Sequence, residues 1–339
     1  MPNRPTLPLL LPATVDRISP LHSPRSPLDA REREERINRK YNELRSRSGL
    51  LTIMGTSHRC SADFLEQISV IGEGSFGVVL KARCKHKSTL LALKKILISN
   101  VENYKSAVTD LAVIMEAHAC PNIVKCYGCF VTESEITICL ELMAMGFDRI
   151  LKRISMVPEN IIRQVALSSV NALRYLKSLH MMHRDIKPAN ILIDLHGTIK
   201  LCDFGLCGRL IDTNRAETFS LGTSAYLPPE RIGGQQKYGI RADVWSLGIT
   251  LYELATGRNP YSEAVTHMAM EIMISREPSP RLNPSKTYSK IFCEFLNQCL
   301  QKRQEDRPHY SDLERTPFLT EARNDSRTNV ESWLQFVIS

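Results

Sequence analysis

Four residues stand out as able to do chemistry together: Asp185, Lys187, Asn190 and Asp203. They lie within His180–Gly205, where Asp185 stands five residues before Asn190 and Asp203 thirteen beyond it. Between them, Ile191–Asp194 and Thr198–Leu201 are two short β-type runs around Leu195-His196-Gly197, which predicts a hairpin. A hairpin returns the chain on itself and brings Asp203 back toward Asp185 and Asn190. Two carboxylates and an amide converging there can hold a divalent metal and orient a hydroxyl for attack on a phosphate. In that chemistry Asp185 accepts or orients the hydroxyl proton, and Lys187 neutralises charge on the moving phosphoryl group. Asn190 and Asp203 hold magnesium, and Gly205 permits the turn after the second ligand. Taken singly, an Asp or Asn in a loop is more often a cap or a turn residue. The set carries the reading.

A nucleotide needs a cradle, and Ile71-Gly72-Glu73-Gly74-Ser75-Phe76-Gly77-Val78-Val79 has the composition for one. Its glycines let backbone approach phosphates, and Phe76 at the tip can cover them. Dinucleotide-binding domains share this glycine spacing, but there a helix follows, whereas Val78-Val79-Leu80 continues as a strand. Leu91-Ala92-Leu93-Lys94 then supplies a lysine for the nucleotide's α- and β-phosphates. A charge in so apolar a run needs a partner. Asp110, beside the apolar face of the helix predicted over Ser106–His118, is the expected one. Glu116 falls about 240° further round that helix and is expected to be solvated.

The elements that must position these groups follow from the rest of the chain. The 339 residues, 43% of them apolar, allow one large domain or two lobes. No apolar run is long enough to span a membrane, and prolines break the opening apolar patch, unlike a secretory signal. Ten cysteines scattered through apolar stretches suit reduced core thiols and a cytoplasmic location, or also a nuclear one. The single CxxC, Cys126–Cys129, reads as strand packing rather than zinc or redox chemistry. Residues 1–28 hold seven of the eighteen prolines and read as a disordered arm, with three Ser-Pro pairs at Ser19, Ser23 and Ser26. Within it, Arg4, Leu7 and Leu9 form a candidate docking peptide, a basic residue followed by alternating leucines. Residues 29–48 are charged and helix-prone, expected as a solvated link. Leu50–Ile53 is a short leading strand or a weak second docking peptide. A net charge of +8 does not imply nucleic acid, since the basic run Arg31–Arg47 is interleaved with acids and carries one aromatic, Tyr41. Pro158 opens a helix over Glu159–Leu179 with Ile162, Val165, Ala166, Val170, Leu173 and Leu176 on one face.

Over Phe64–Leu319 the sequence resembles a eukaryotic protein kinase. Pro228-Pro229-Glu230 stands where the family has Ala-Pro-Glu, and Asp243-Val244-Trp245 follows. The resemblance implies an α+β, bilobal fold with a small β-rich N-lobe and a larger helical C-lobe. It implies ATP and Mg2+ as cofactors, a hinge at Glu141–Met143 offering backbone groups to adenine behind Leu140, and an Arg307–Glu230 pair. The organisation expected is an extension over residues 1–60, an N-lobe over 61–143, a C-lobe over 144–319 and a tail over 320–339. Narrower similarity, carried by Leu201–Asp212, Gly222–Ile232 and Ile240–Tyr261, is to the MAP kinase kinases. Among their branches the likeness is to the one that activates c-Jun N-terminal kinases, which also tends to have Asp at the position of Asp110. This implies phosphorylation of Thr and Tyr in a downstream MAP kinase, switching by an upstream MAP kinase kinase kinase, and a scaffold protein as a further partner. Asp312–Asn329 stands where the family docks its activator, although its charges alone read as a solvated end. In the activation loop Thr218 falls on the second phosphorylation site and Asn214 on the first. Thr213 and Ser220 are the nearest hydroxyls. A kinase-fold scaffold, or a weakly active divergent kinase, that binds a MAP kinase without efficient phosphorylation is the alternative.

Overall fold

The computed structural model describes residues 27–74, 77–85, 88–99, 101–117, 119–205, 207–209, 224–232, 239–325 and 328–339. The expectations for Arg4, Leu7, Leu9, Ser75, Phe76, Thr213, Thr218 and Ser220 lie outside these residues. In chain order the strands are β1 (Leu50–Ile53), β2 (Thr56–Arg59), β3 (Leu65–Gly74), β4 (Gly77–Cys84), β5 (Thr89–Leu97), β6 (Cys126–Val131), β7 (Glu135–Glu141), β8 (Met145–Gly146), β9 (Met181–Met182), β10 (Ile191–Ile193), β11 (Ile199–Leu201) and β12 (Gly208–Arg209). The helices are α1 (Pro27–Ser46), α2 (Val101–Glu116), α3 (Phe147–Ile154), α4 (Glu159–Ser178), α5 (Pro229–Ile232), α6 (Arg241–Thr256), α7 (His267–Arg276), α8 (Lys290–Cys299), α9 (Tyr310–Leu313), α10 (Pro317–Asn324) and α11 (Val330–Ile338).

The small lobe is one antiparallel sheet, ordered β3-β4-β5-β7-β6. Its strands are rich in Leu, Ile and Val and bury side chains on both faces. Leu80, Leu91, Leu93 and Cys139 pack under the β1–β2 hairpin, while Ile96 and Ile138 join α2 in the main core. Gly77 has φ +147, and a Cβ there would lie 1.9 Å from the Lys95 carbonyl oxygen, so only glycine lets β4 turn in this close to β5.

The region ahead of the sheet is not a solvated link. Leu44 is buried, and Ile37 and Tyr41 pack against the core. The Tyr41 and Tyr104 rings lie 5.2 Å apart, and Lys40 Nζ donates to Glu116 Oε1 at 2.9 Å. Glu116 is exposed, as expected, and from the surface it still pairs α2 with α1. Leu51 and Ile53 are buried as well, which removes Leu50–Ile53 as a docking peptide.

The large lobe is built on α4, whose six predicted core residues are all buried, and on α6, buried along most of its length. The charged C-terminal stretch also packs. Phe318, Leu319 and Ala322 of α10 are buried, and Arg163 reaches Glu321 at 2.7 Å. Beyond it, Leu334 and Val337 bury one side of α11. None of the ten cysteines is in a disulfide. Burial pushes the Cys129 thiol up to about 11 and Cys126 to about 12, so neither is a ready thiolate. Among the described residues no cluster suits a His/Cys/carboxylate metal centre, and no helix is long and apolar enough to cross a membrane.

Candidate active site

Three elements meet at Lys94. From β5 its ammonium lies 2.5 Å from Asp110 Oδ2 on α2 and 2.9 Å from Asp203 Oδ1. Burial alone would push the lysine down. The two carboxylates outweigh it and hold Lys94 well above its ordinary value. Burial likewise pushes Asp203 upward, and Lys94 wins by holding it below the usual carboxylate value. The short Asp110 side chain suffices because α2 sits close. Its other oxygen, Oδ1, accepts from the Phe204 backbone N–H at 2.9 Å. Asp110 therefore ties Lys94 and the segment carrying Asp203 to one helix.

The predicted hairpin is present, with β10 antiparallel to β11 and Ile191 opposite Leu201. The Cys202 N–H donates to the Asn190 carbonyl at 3.0 Å, and the His183 ring lies 3.1 Å from the Cys202 carbonyl oxygen. These bonds bring the two arms of the motif side by side. Arg184 and Asp203 both sit in the left-handed region, at φ +69 and +63. That conformation is costly for such residues and persists only where neighbours fix it. Asp243 does so on one side, accepting from the N–H groups of His183 and Arg184 at 2.9 and 2.8 Å. Phe204, buried against the His183 ring with centroids 5.2 Å apart, does so on the other.

Asn190 Nδ2 donates to the Asp185 carbonyl and to Asp185 Oδ2, each at 2.8 Å. With its amino group committed twice, the amide is oriented and its oxygen remains as the hard donor. Lys187 Nζ reaches the same Asp185 Oδ2 at 2.8 Å. The Gly205 N–H faces Asp203 Oδ1 at 3.5 Å.

In the cleft, Ile71, Gly72, Glu73 and Gly74 end β3 while Gly77, Val78 and Val79 begin β4. Ala92 is opposite Leu140 in the ladder and Met143 follows β7, half-buried. The Glu141 side chain is turned to other work. Its carboxylate accepts from Lys200 Nζ at 2.7 and 2.8 Å, and its N–H donates to the Lys125 carbonyl at 2.9 Å. Sequence reasoning missed this tie between hinge and β11, and it quoted Asp243 only as a marker. The expected Arg307–Glu230 pair is present as two parallel bonds of 2.8 and 2.6 Å.

Protein kinases use ATP and magnesium, and the residues here fit both. Asp203 and Asn190 offer two hard oxygen donors, and Lys94 is a cation facing the same space.

The protein kinase domain family matches residues 65–319. The chain is 40% identical over 325 residues to the dual specificity mitogen-activated protein kinase kinase mek-1 of Caenorhabditis elegans, covering 94% of this chain and 90% of that one. It is 38% identical over 345 residues to dual specificity mitogen-activated protein kinase kinase 7 of Homo sapiens, covering 100% of this chain and 79% of the relative. Against hemipterous of Drosophila melanogaster, also named a dual specificity mitogen-activated protein kinase kinase, identity is 40% over 338 residues, but the chain spans only 27% of that relative's length. With a phosphotransferase site built on this fold, the chain belongs to the MAP kinase kinase family of protein kinases.

Proposed function

We propose that this chain transfers the γ-phosphoryl group of ATP to Thr and Tyr in the activation loop of a stress-type MAP kinase, of the c-Jun N-terminal or p38 kind. The observation that carries the chemistry is the joined set Lys94–Asp110–Asp203 beside Lys187–Asp185–Asn190. Magnesium-ATP, when bound, supplies the phosphoryl donor and neutralises its charge. Lys94 binds the donor's α- and β-phosphates, and the Asn190 amide oxygen and the Asp203 carboxylate are the metal ligands. Lys187 and Asn190 converge on Asp185 Oδ2, which leaves Oδ1 to take the proton from the substrate hydroxyl. Lys187 would neutralise charge on the moving phosphoryl group. Fixed groups of this kind need no rearrangement during the reaction, which is the main source of catalysis in phosphoryl transfer. The Ile71–Val79 backbone is the proposed phosphate cradle, and the Glu141–Met143 backbone receives adenine.

The dual specificity and the MAP kinase substrate rest on likeness to the relatives, whose names state that activity. An upstream kinase is the proposed activator, through Thr218 with Thr213 or Ser220 as second positions, in the cytoplasm. The test is phosphorylation of a catalytically dead c-Jun N-terminal kinase by the protein carrying Asp at Thr213 and Thr218, and separately after treatment with an upstream kinase. Phospho-Thr and phospho-Tyr are read separately, with Asp185→Asn as control. Both signals, lost in Asp185→Asn, are expected. No signal in either preparation while magnesium-ATP still binds would sink this reading in favour of a kinase-fold scaffold.

A further inference from the structure

The register of β3 against β4 shifts between Val70 and Gly72, because Val70 pairs with Leu80 and Gly72 with Val79. Ile71 is the extra residue, without a partner in the ladder. Such a bulge leaves backbone polar groups to be satisfied elsewhere, and bulges gather beside active sites. Here the Ile71 carbonyl accepts from Arg149 Nη2. Arg149 lies on α3, in the first turns of the large lobe, so this bond crosses from one lobe to the other. A Cβ on Gly72 would lie 3.7 Å from Val79 Cβ and 4.0 Å from Arg149 Nη2, so the guanidinium rests against the opening of the glycine segment.

The helix that carries Arg149 is itself braced. The Phe147 ring stacks on Trp333 of α11 at 6.3 Å, with 17° between planes. Arg153 Nη1 donates to the Val337 carbonyl at 3.3 Å. A continuous set of contacts thus runs from α11 through α3 and Arg149 to Ile71.

We propose that Arg149 is a positioning residue of the nucleotide site, latching the bulge at Ile71 to the large lobe and slowing nucleotide release, with α11 holding α3 in place for it. The proposal rests on the nucleotide-site reading above. A latch across the mouth acts on entry and exit, and does not touch the transferred phosphoryl group. Its loss should therefore show in nucleotide retention before it shows in turnover.

The experiment uses the full chain and follows dissociation of a fluorescent ADP analogue with magnesium by stopped flow. Arg149→Ala should speed dissociation about three- to tenfold, the range for one hydrogen bond from a charged donor weakened by solvent. Arg149→Lys, which keeps a charged donor but loses the guanidinium fork, should fall between. Trp333→Ala should act in the same direction, and the double variant should match Arg149→Ala alone, because both act through one bond. In steady state the KM for ATP should rise by a larger factor than kcat falls. Unchanged dissociation in Arg149→Ala overturns the latch. A Trp333→Ala effect that multiplies with that of Arg149→Ala overturns the bracing role of α11. Failure of the unaltered protein to bind the analogue would instead overturn the nucleotide-site reading itself.

Discussion

Each lobe holds a carboxylate–cation pair shielded from water, and the two are built differently. In the large lobe Arg307 is fully buried and saturated. It makes two bonds to Glu230 and three to the carbonyls of Gln301, Arg241 and Lys302, and its guanidinium lies 5.2 Å from the Trp245 ring centre. One cation meets one anion, and dipoles take up the remaining donors. In the small lobe Lys94 faces two carboxylates, so the group carries surplus negative charge, and the Asp203 side chain stays 32% exposed toward the cleft. A saturated pair has nothing left to offer a ligand. An unsaturated one beside solvent has both a cation for phosphate and an anion for metal. Arg307 is fully buried and Lys94 15% exposed, and it is stoichiometry above all that separates structure from chemistry.

The sharpest way to break this comparison is to remove each cation. Arg307→Ala leaves Glu230 buried without its partner and should cost about 3–5 kcal/mol of stability, read in chemical denaturation. Lys94→Met should lower phosphoryl transfer by about 10²–10³-fold, with a smaller loss of stability than Arg307→Ala. Equal losses of stability would erase the distinction.

Acidity sharpens it further. In the unaltered protein Asp203 is held below the ordinary carboxylate value of 3.8. Its contribution to stability is present above that value and lost only as pH falls through the lower folded one, so it is flat between about pH 8 and 6. In Lys94→Met, burial of Asp203 is opposed only by the smaller pull of His183 and Lys187, and its carboxyl rises. The folded state then binds more protons than the unfolded, and stability should rise on acidification across the same window. Thermal melts at the two pH values read the difference.

Smaller effects should follow at the edges of the comparison. Asp110→Asn keeps an acceptor for the Phe204 N–H but removes the surplus negative charge, and should slow transfer about tenfold, near 1.4 kcal/mol. Lys40→Ala removes an ion pair whose side chains are 31% and 40% exposed. It should cost less than about 1 kcal/mol, and less still in high salt.

Most of the site was legible because its parts are local. The hairpin from Ile191 to Leu201 needed only alternation and a turn, and it alone carries Asp203 back to Asn190. The Lys94–Asp110 pair followed from the cost of an unpartnered charge in an apolar strand. What escaped depends on contacts across the molecule. Charge density on α1 masked Ile37, Tyr41 and Leu44, although their spacing of four and three is a helical stripe that could have found the packed face. In α11, Val330, Trp333, Leu334 and Val337 form such a stripe too, with Glu331 as the helix's one charge. No local signal marks the Ile71 bulge or the Glu141–Lys200 tie, since each is set by a strand register or a neighbour far along the chain.

The docking of α1 and the β1–β2 hairpin has a practical consequence. Strand β6 is the outer strand of the five-stranded sheet, and part of its free side is occupied by the preceding segment. The Gly49 N–H donates to the Cys129 carbonyl at 2.9 Å, and Ser48 Oγ accepts from the Val131 N–H at 2.9 Å. A recombinant chain begun at Leu65, where the family match starts, would bare that strand together with the apolar surface under Leu44 and Leu51. An open edge of this kind is a template for edge-to-edge association between copies, so the shortened enzyme would precipitate where the longer one stays dispersed.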